Sequence, residues 1–156
     1  MDLYDFYNTF ITAVAADNGL HAWCRVKFDN DLTVLADLQS HALPTVDDMP
    51  YVIFHTPEAI KNQERRVNEY TLGVDVGLNK DALAVRAEDS VEQPAGIELI
   101  LDFVTLLVGV VKDSLPSNTS FGYRLAADTL GSLPKIHGYI DFDFMEKVTI
   151  GTDPLA

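Results

Sequence analysis

Met49-Pro-Tyr-Val-Ile-Phe-His-Thr-Pro-Glu-Ala-Ile-Lys-Asn-Gln-Glu-Arg-Arg-Val-Asn-Glu-Tyr-Thr-Leu-Gly-Val-Asp-Val-Gly-Leu78 is the stretch around which the chain is organised. It opens on an apolar run, Pro50 to His55, and passes through a charged middle, Glu58 to Arg66. In its last third Tyr70, Leu72, Val74 and Val76 alternate with Glu69, Thr71, Gly73 and Asp75. A period of two means one buried and one wet face, the mark of a strand covering half a core. Two strands joined by a charge-rich connection predict a long hairpin whose connection projects from the sheet. Glu58, Lys61, Glu64, Arg65 and Arg66 are thereby the candidate protein-interaction loop.

Upstream, Asp2 is placed to cap a first helix with Leu3, Phe6, Tyr7, Phe10, Ile11 and Val14 at helical spacing. Asn18-Gly19 is expected to break it, and Leu20 to Phe28 gives a second short helix ending in Asp29-Asn30-Asp31. Leu32 to Leu35 is a short strand, and Gln39 to Asp48 reads as a loop. Downstream, Asn79 to Gln93 is polar and acidic and reads as a surface loop. Ile97 to Ser114 is a helix apolar on nearly every side, so it needs cover from the sheet and from a second element or subunit. Phe121 to Leu130 alternates weakly. His137 to Ile150 alternates strongly, with Ile140, Phe142 and Phe144 opposite Asp141 and Asp143. The order α-α-β-β-β-α-β-β predicts an α+β fold: a mostly antiparallel sheet with a long apolar helix and the N-terminal helices packed on one face. Residues 1–150 form the expected single domain and 151–156 a flexible tail.

The totals narrow the function. The chain has 156 residues, 47% of them hydrophobic, which suits one globular domain with a real core. Its formal charge of -13 argues against a nucleic-acid-binding surface and for a soluble or polyanion-repelling one. Cys24 stands alone, which excludes an internal disulfide. Asp2 and Asp5 stand where a secretory signal would be basic, and Gly96 to Val111 is too short and too charged to span a membrane.

Chemistry-bearing constellations are sparse. His21 and Cys24 are three apart on a helix, but a structural zinc needs four ligands and the other histidines are distant. Asp75, Asp141 and Asp143 share polar strand faces. They could hold a divalent cation or act as acid and base, although alternating acids are also what the wet side of any acidic sheet shows. No nucleophile-elbow or phosphate-loop motif is present, and Gly73 and Gly77 mark a bulge or a close neighbour in a strand.

The sequence of elements is itself informative. An N-terminal helical segment holding Ala22-Trp23-Cys24 precedes the strand Leu32–Leu35, the acidic lead Asp47-Asp48-Met-Pro50 and the run Tyr51–Phe54. A charged loop, the strand Tyr70–Gly77, an apolar helix and the late run Gly138-Tyr-Ile-Asp-Phe-Asp-Phe144 follow. This layout, from about Leu3 to Ile150, resembles the tail-terminator (tail-completion) and related neck proteins of long-tailed bacteriophages. The resemblance implies a non-enzymatic virion protein, assembled in the host cytoplasm into a homo-oligomeric ring, usually a hexamer. The ring would cap the tail tube protein and join it to the head-side connector or neck protein. No cofactor, metal, membrane or sequence-specific nucleic acid is implied, and Asp75, Asp141 and Asp143 become a candidate acidic lumen. Other readings stay open: another head–tail connector or minor tail protein, a small acidic metal-dependent enzyme, or a ligand-binding module.

Overall fold

The computed structural model describes residues 2–36, 44–62, 65–79, 95–128 and 135–148. Its centre is a pair of long antiparallel strands, β4 (Val67–Asn79) and β6 (Lys135–Lys147), in register from Val67 opposite Lys147 to Asn79 opposite Lys135. Four more strands and three helices build on that pair. β1 (Thr33–Ala36), β2 (Tyr51–Phe54), β3 (Glu58–Asn62) and β5 (Thr119–Asp128) complete a six-stranded sheet of order β1-β2-β4-β6-β5, with β3 continuing the β2 side of β4. Only the β1–β2 pairing is parallel. The fold is α+β, with three helices packed on the sheet.

The helices start and stop where side chains satisfy their free backbone groups. The Asp2 carboxylate accepts the Asp5 N–H at 2.7 Å and opens α1 (Leu3–Ala16). The break before α2 (Asn18–Phe28) falls at Asp17, one residue before the expected Asn18-Gly19, which lies inside the new helix. Asp17 closes one helix through its backbone N–H to Val14 and opens the next by accepting from the Leu20 N–H. Asp29, at φ 53°, ends α2 in a left-handed cap. The long helix α3 runs from Ala95 to Ser114.

One face of the sheet carries the main core, and a smaller buried cluster, Met49, Tyr51 and Ile53, lies on the other. Tyr70, Leu72, Val74, Val76 and Leu78 of β4 and Ile136, Ile140, Phe142 and Phe144 of β6 are buried in the main core beneath Phe6, Phe10 and Val14 of α1. Phe6 stacks on Tyr70, and Phe10 on Phe144, with ring centroids 4.4 and 4.9 Å apart. Each such aromatic contributes about 1.5–3 kcal/mol by leaving water. α3 covers the β5–β6 side with Ile100, Phe103, Val104, Leu107 and Val111, and packs against α1 and α2 as well. Its Ile97, Leu101 and Leu106 stay exposed, so the cover expected on more than one side is incomplete.

Two expectations need correction. The charged segment after the first strand is not a projecting loop, because Glu58–Asn62 forms β3 against β4 and leaves only a short tip at Arg65-Arg66. The order of elements therefore gains a strand. The expected loop at Gln39–Asp48 contains a short 3-10 turn, Val46–Asp48, while 37–43 lie outside the described residues. So do 80–94, most of the expected acidic loop, and the expected tail at 151–156.

Candidate functional site

The sheet face turned away from the helices is built by a single register change. Phe54 lies opposite Val74 and Glu58 opposite Thr71, so three residues, His55 to Pro57, face only two on β4. This is a β-bulge, and the extra residue inverts which side chains point outward. Without it Ile60 would share the inner face with Phe54. With it Ile60 stands on the outer face beside Glu69, and Ala59 beside Tyr70. Pro57 occupies the bulge, where no ladder hydrogen bond is lost.

Beyond the bulge the outer face presents two cross-strand rows of four. One row is Ile60, Glu69, Met145 and Ser120; the next is Glu58, Thr71, Asp143 and Gly122. Together they line a groove of about 510 Å³ across four strands. Ile60 and Met145 are its exposed apolar walls, at 63% and 49% of full exposure.

On the other side of the bulge the same face is aromatic and polar. The Tyr51 ring lies over Gly77 and the Tyr139 hydroxyl over Gly73, places a Cβ would occupy, so the glycines mark close neighbours as expected. His55 Nε2 donates to Asp75 Oδ2 at 2.6 Å, and the Tyr51 hydroxyl lies 3.4 Å from His137 Nδ1. Burial pushes the Tyr139 hydroxyl above its ordinary range, and the neighbouring Asp141 carboxylate adds to this. Burial and then the Asp75 charge do the same to Tyr51. Both hydroxyls thus keep their protons at neutral pH.

The predicted residues divide accordingly. Asp75, Asp141 and Asp143 do share the outer face, but each has its own neighbourhood: Asp75 binds His55, Asp141 lies 3.6 Å from Arg124, and Asp143 stands at the groove. They do not converge, and among the described residues no group of three or more His, Cys, Asp or Glu is placed to hold a metal ion. Of the candidate loop, Glu58 and Lys61 are strand residues, Arg65 and Arg66 form the hairpin tip, and Glu64 lies outside the described residues. The tip is tied down by the Val148 N–H, which donates to the Arg66 carbonyl at 2.9 Å. His21 Nδ1 pairs with Asp31 at 2.6 Å, while Cys24 is buried with its thiol pushed up to about 12, mainly by that burial. That thiol is neither a nucleophile nor a ready metal ligand.

Two features were not read from the sequence. The groove depends on the bulge, whose signal is Pro57 between the apolar run and the charged segment. The other is the edge of the sheet. β5 pairs with β6 without a break from Thr119 opposite Glu146 to Asp128 opposite His137, and among the described residues no strand pairs with its other side. It contains no proline and no lysine, and Tyr123 at its centre is 47% exposed. Its weak alternation concealed a regular strand.

No family model matches the chain, and no curated protein matches it. The site therefore defines only a class: an α+β protein with one sheet face closed by helices and the other divided between a small buried cluster, Met49, Tyr51 and Ile53, and an open groove.

Proposed function

We propose that this protein is a structural assembly subunit, a tail terminator that closes into a ring on the tail tube and meets the head-side connector. The edge of β5, with which no strand pairs among the described residues, is the observation that carries the assembly part of this reading. Proteins that stay monomeric blunt a free strand edge with prolines, lysines, bulges or brevity. β5 is ten residues long, without proline, lysine or bulge, and its one arginine, Arg124, lies 3.6 Å from Asp141 of the neighbouring strand. The backbone donors and acceptors of β5 suit pairing with a strand of a neighbouring subunit. A ring needs two different surfaces that meet head to tail. The exposed Ile97, Leu101 and Leu106 of α3 offer a second apolar surface for such a contact. The phage assignment rests on the layout of elements described above.

Light scattering after size exclusion, with and without tail tube protein, tests the reading. A discrete closed assembly is expected, and electron microscopy then counts its subunits. Tyr123→Lys adds a charge at the centre of the edge and should leave a monomer, with circular dichroism checking the fold because the Tyr123 ring lies 6.1 Å from that of Phe142. A wild-type protein that stays monomeric at every concentration and ignores tail tube protein would overturn it.

A further inference from the structure

We infer that the groove beyond the bulge is a docking site for an extended basic segment of a partner protein, one that alternates cationic and apolar side chains. The charge pattern selects this occupant. Glu58, Glu69 and Asp143 border the groove, and among the described residues no cation lines it and none of the three carboxylates makes an ion pair. Between them lie exposed Ile60 and Met145. A lysine or arginine side chain fits both parts, its methylene stem along the apolar walls and its charged end at the carboxylates.

Gly122 supplies the second argument. A Cβ at this position would meet nothing within 4 Å, so no neighbour in the fold requires the glycine. Its place in the row with Glu58, Thr71 and Asp143 leaves the β5 end of the groove without a side chain. A glycine in a strand commonly marks the close approach of another backbone. The groove's volume, about 510 Å³, is in the range that holds a few side chains. This site does not depend on ring formation: a strict monomer could carry it, and a ring could lack it.

The test is fluorescence anisotropy with a fluorescein-labelled peptide alternating lysine and leucine, against the same peptide carrying glutamate for lysine. The full-length protein should bind the lysine peptide alone, and added salt should weaken binding because the carboxylates face solvent. Glu69→Gln with Asp143→Asn should weaken it by about tenfold, the combined effect of two surface ion pairs. Gly122→Phe fills the groove from a position with open space around it and should weaken binding with the charge unchanged. Asp102→Asn with Asp113→Asn removes the same charge from exposed positions on α3 and should leave binding unaltered. Failure of the lysine peptide to bind, an equal loss in the α3 pair, or full binding by Gly122→Phe would each overturn the proposal. Circular dichroism of every variant separates loss of binding from loss of fold.

Discussion

The two faces of the sheet are cut from the same strands, one residue apart, and they obey different rules. On the inner face nearly every position is large, apolar and buried, and the buried carboxylate of Glu146 is held by Tyr70 and Asn68 at 2.8 and 3.2 Å. On the outer face carboxylates, histidines, tyrosines and glycines alternate across strands, and Ile60 and Met145 are left in water. The inner face is determined by stability, since close packing against three helices leaves little latitude. The outer face is not required by packing over most of its area. Its composition therefore bears on contact with other molecules.

That contrast can be broken by substitution. Phe142→Ala, at a fully buried inner position, should cost about 3–5 kcal/mol in denaturant unfolding, because it leaves a cavity between sheet and helices. A loss below about 1 kcal/mol would mean that the inner face is loosely packed. Glu146→Gln should cost about 1–3 kcal/mol near neutral pH. Burial works against the Glu146 charge, but hydrogen bonds from Tyr70 and Asn68 help to outweigh it and hold the carboxyl below its ordinary value of 4.5. Because the folded value lies below the unfolded one, this contribution is present above pH 4.5 and is lost as pH falls through the folded value. The gap between wild type and Glu146→Gln should thus narrow in unfolding measured from pH 7 down to pH 3. A gap independent of pH would rule out the carboxylate as its source.

Two outer-face glycines sharpen the contrast further. Gly77→Ala drives a Cβ into the Tyr51 ring and should cost about 1–3 kcal/mol, as overpacking does. Gly122→Ala meets open space and should gain about 0.5–1 kcal/mol through reduced backbone entropy in the unfolded chain. Melting temperatures moving in opposite directions would show one face holding a packed aromatic end and an open groove. Movement in the same direction would erase that distinction.

Much of this was legible in the sequence because local rules and tertiary structure agree. The alternation from Tyr70 to Val76 and from Ile140 to Phe144 shows directly as strands, and the Asp2 cap opens α1. The acidic face was legible as well, since a period of two places Asp141 and Asp143 together. The charged segment misled because Glu58, Lys61 and Asn62 have the composition of a loop, and pairing with β4 overrides that composition. Gly19 misled for a related reason: the break was assigned to the glycine, whereas the Asp17 carboxylate caps α2 and keeps Gly19 helical.

By itself the sequence determined the class of fold, the inward residues of the central strands and the acidic character of the surface. These follow from periodicity and charge, which are properties of neighbours along the chain. Tertiary structure alone decided that Ile60 faces outward, that Asp75 meets His55 while Asp141 meets Arg124, and that β5 is the last of the described strands in the sheet. Each depends on register between strands distant in sequence, and one extra residue at His55–Pro57 is enough to turn a face over.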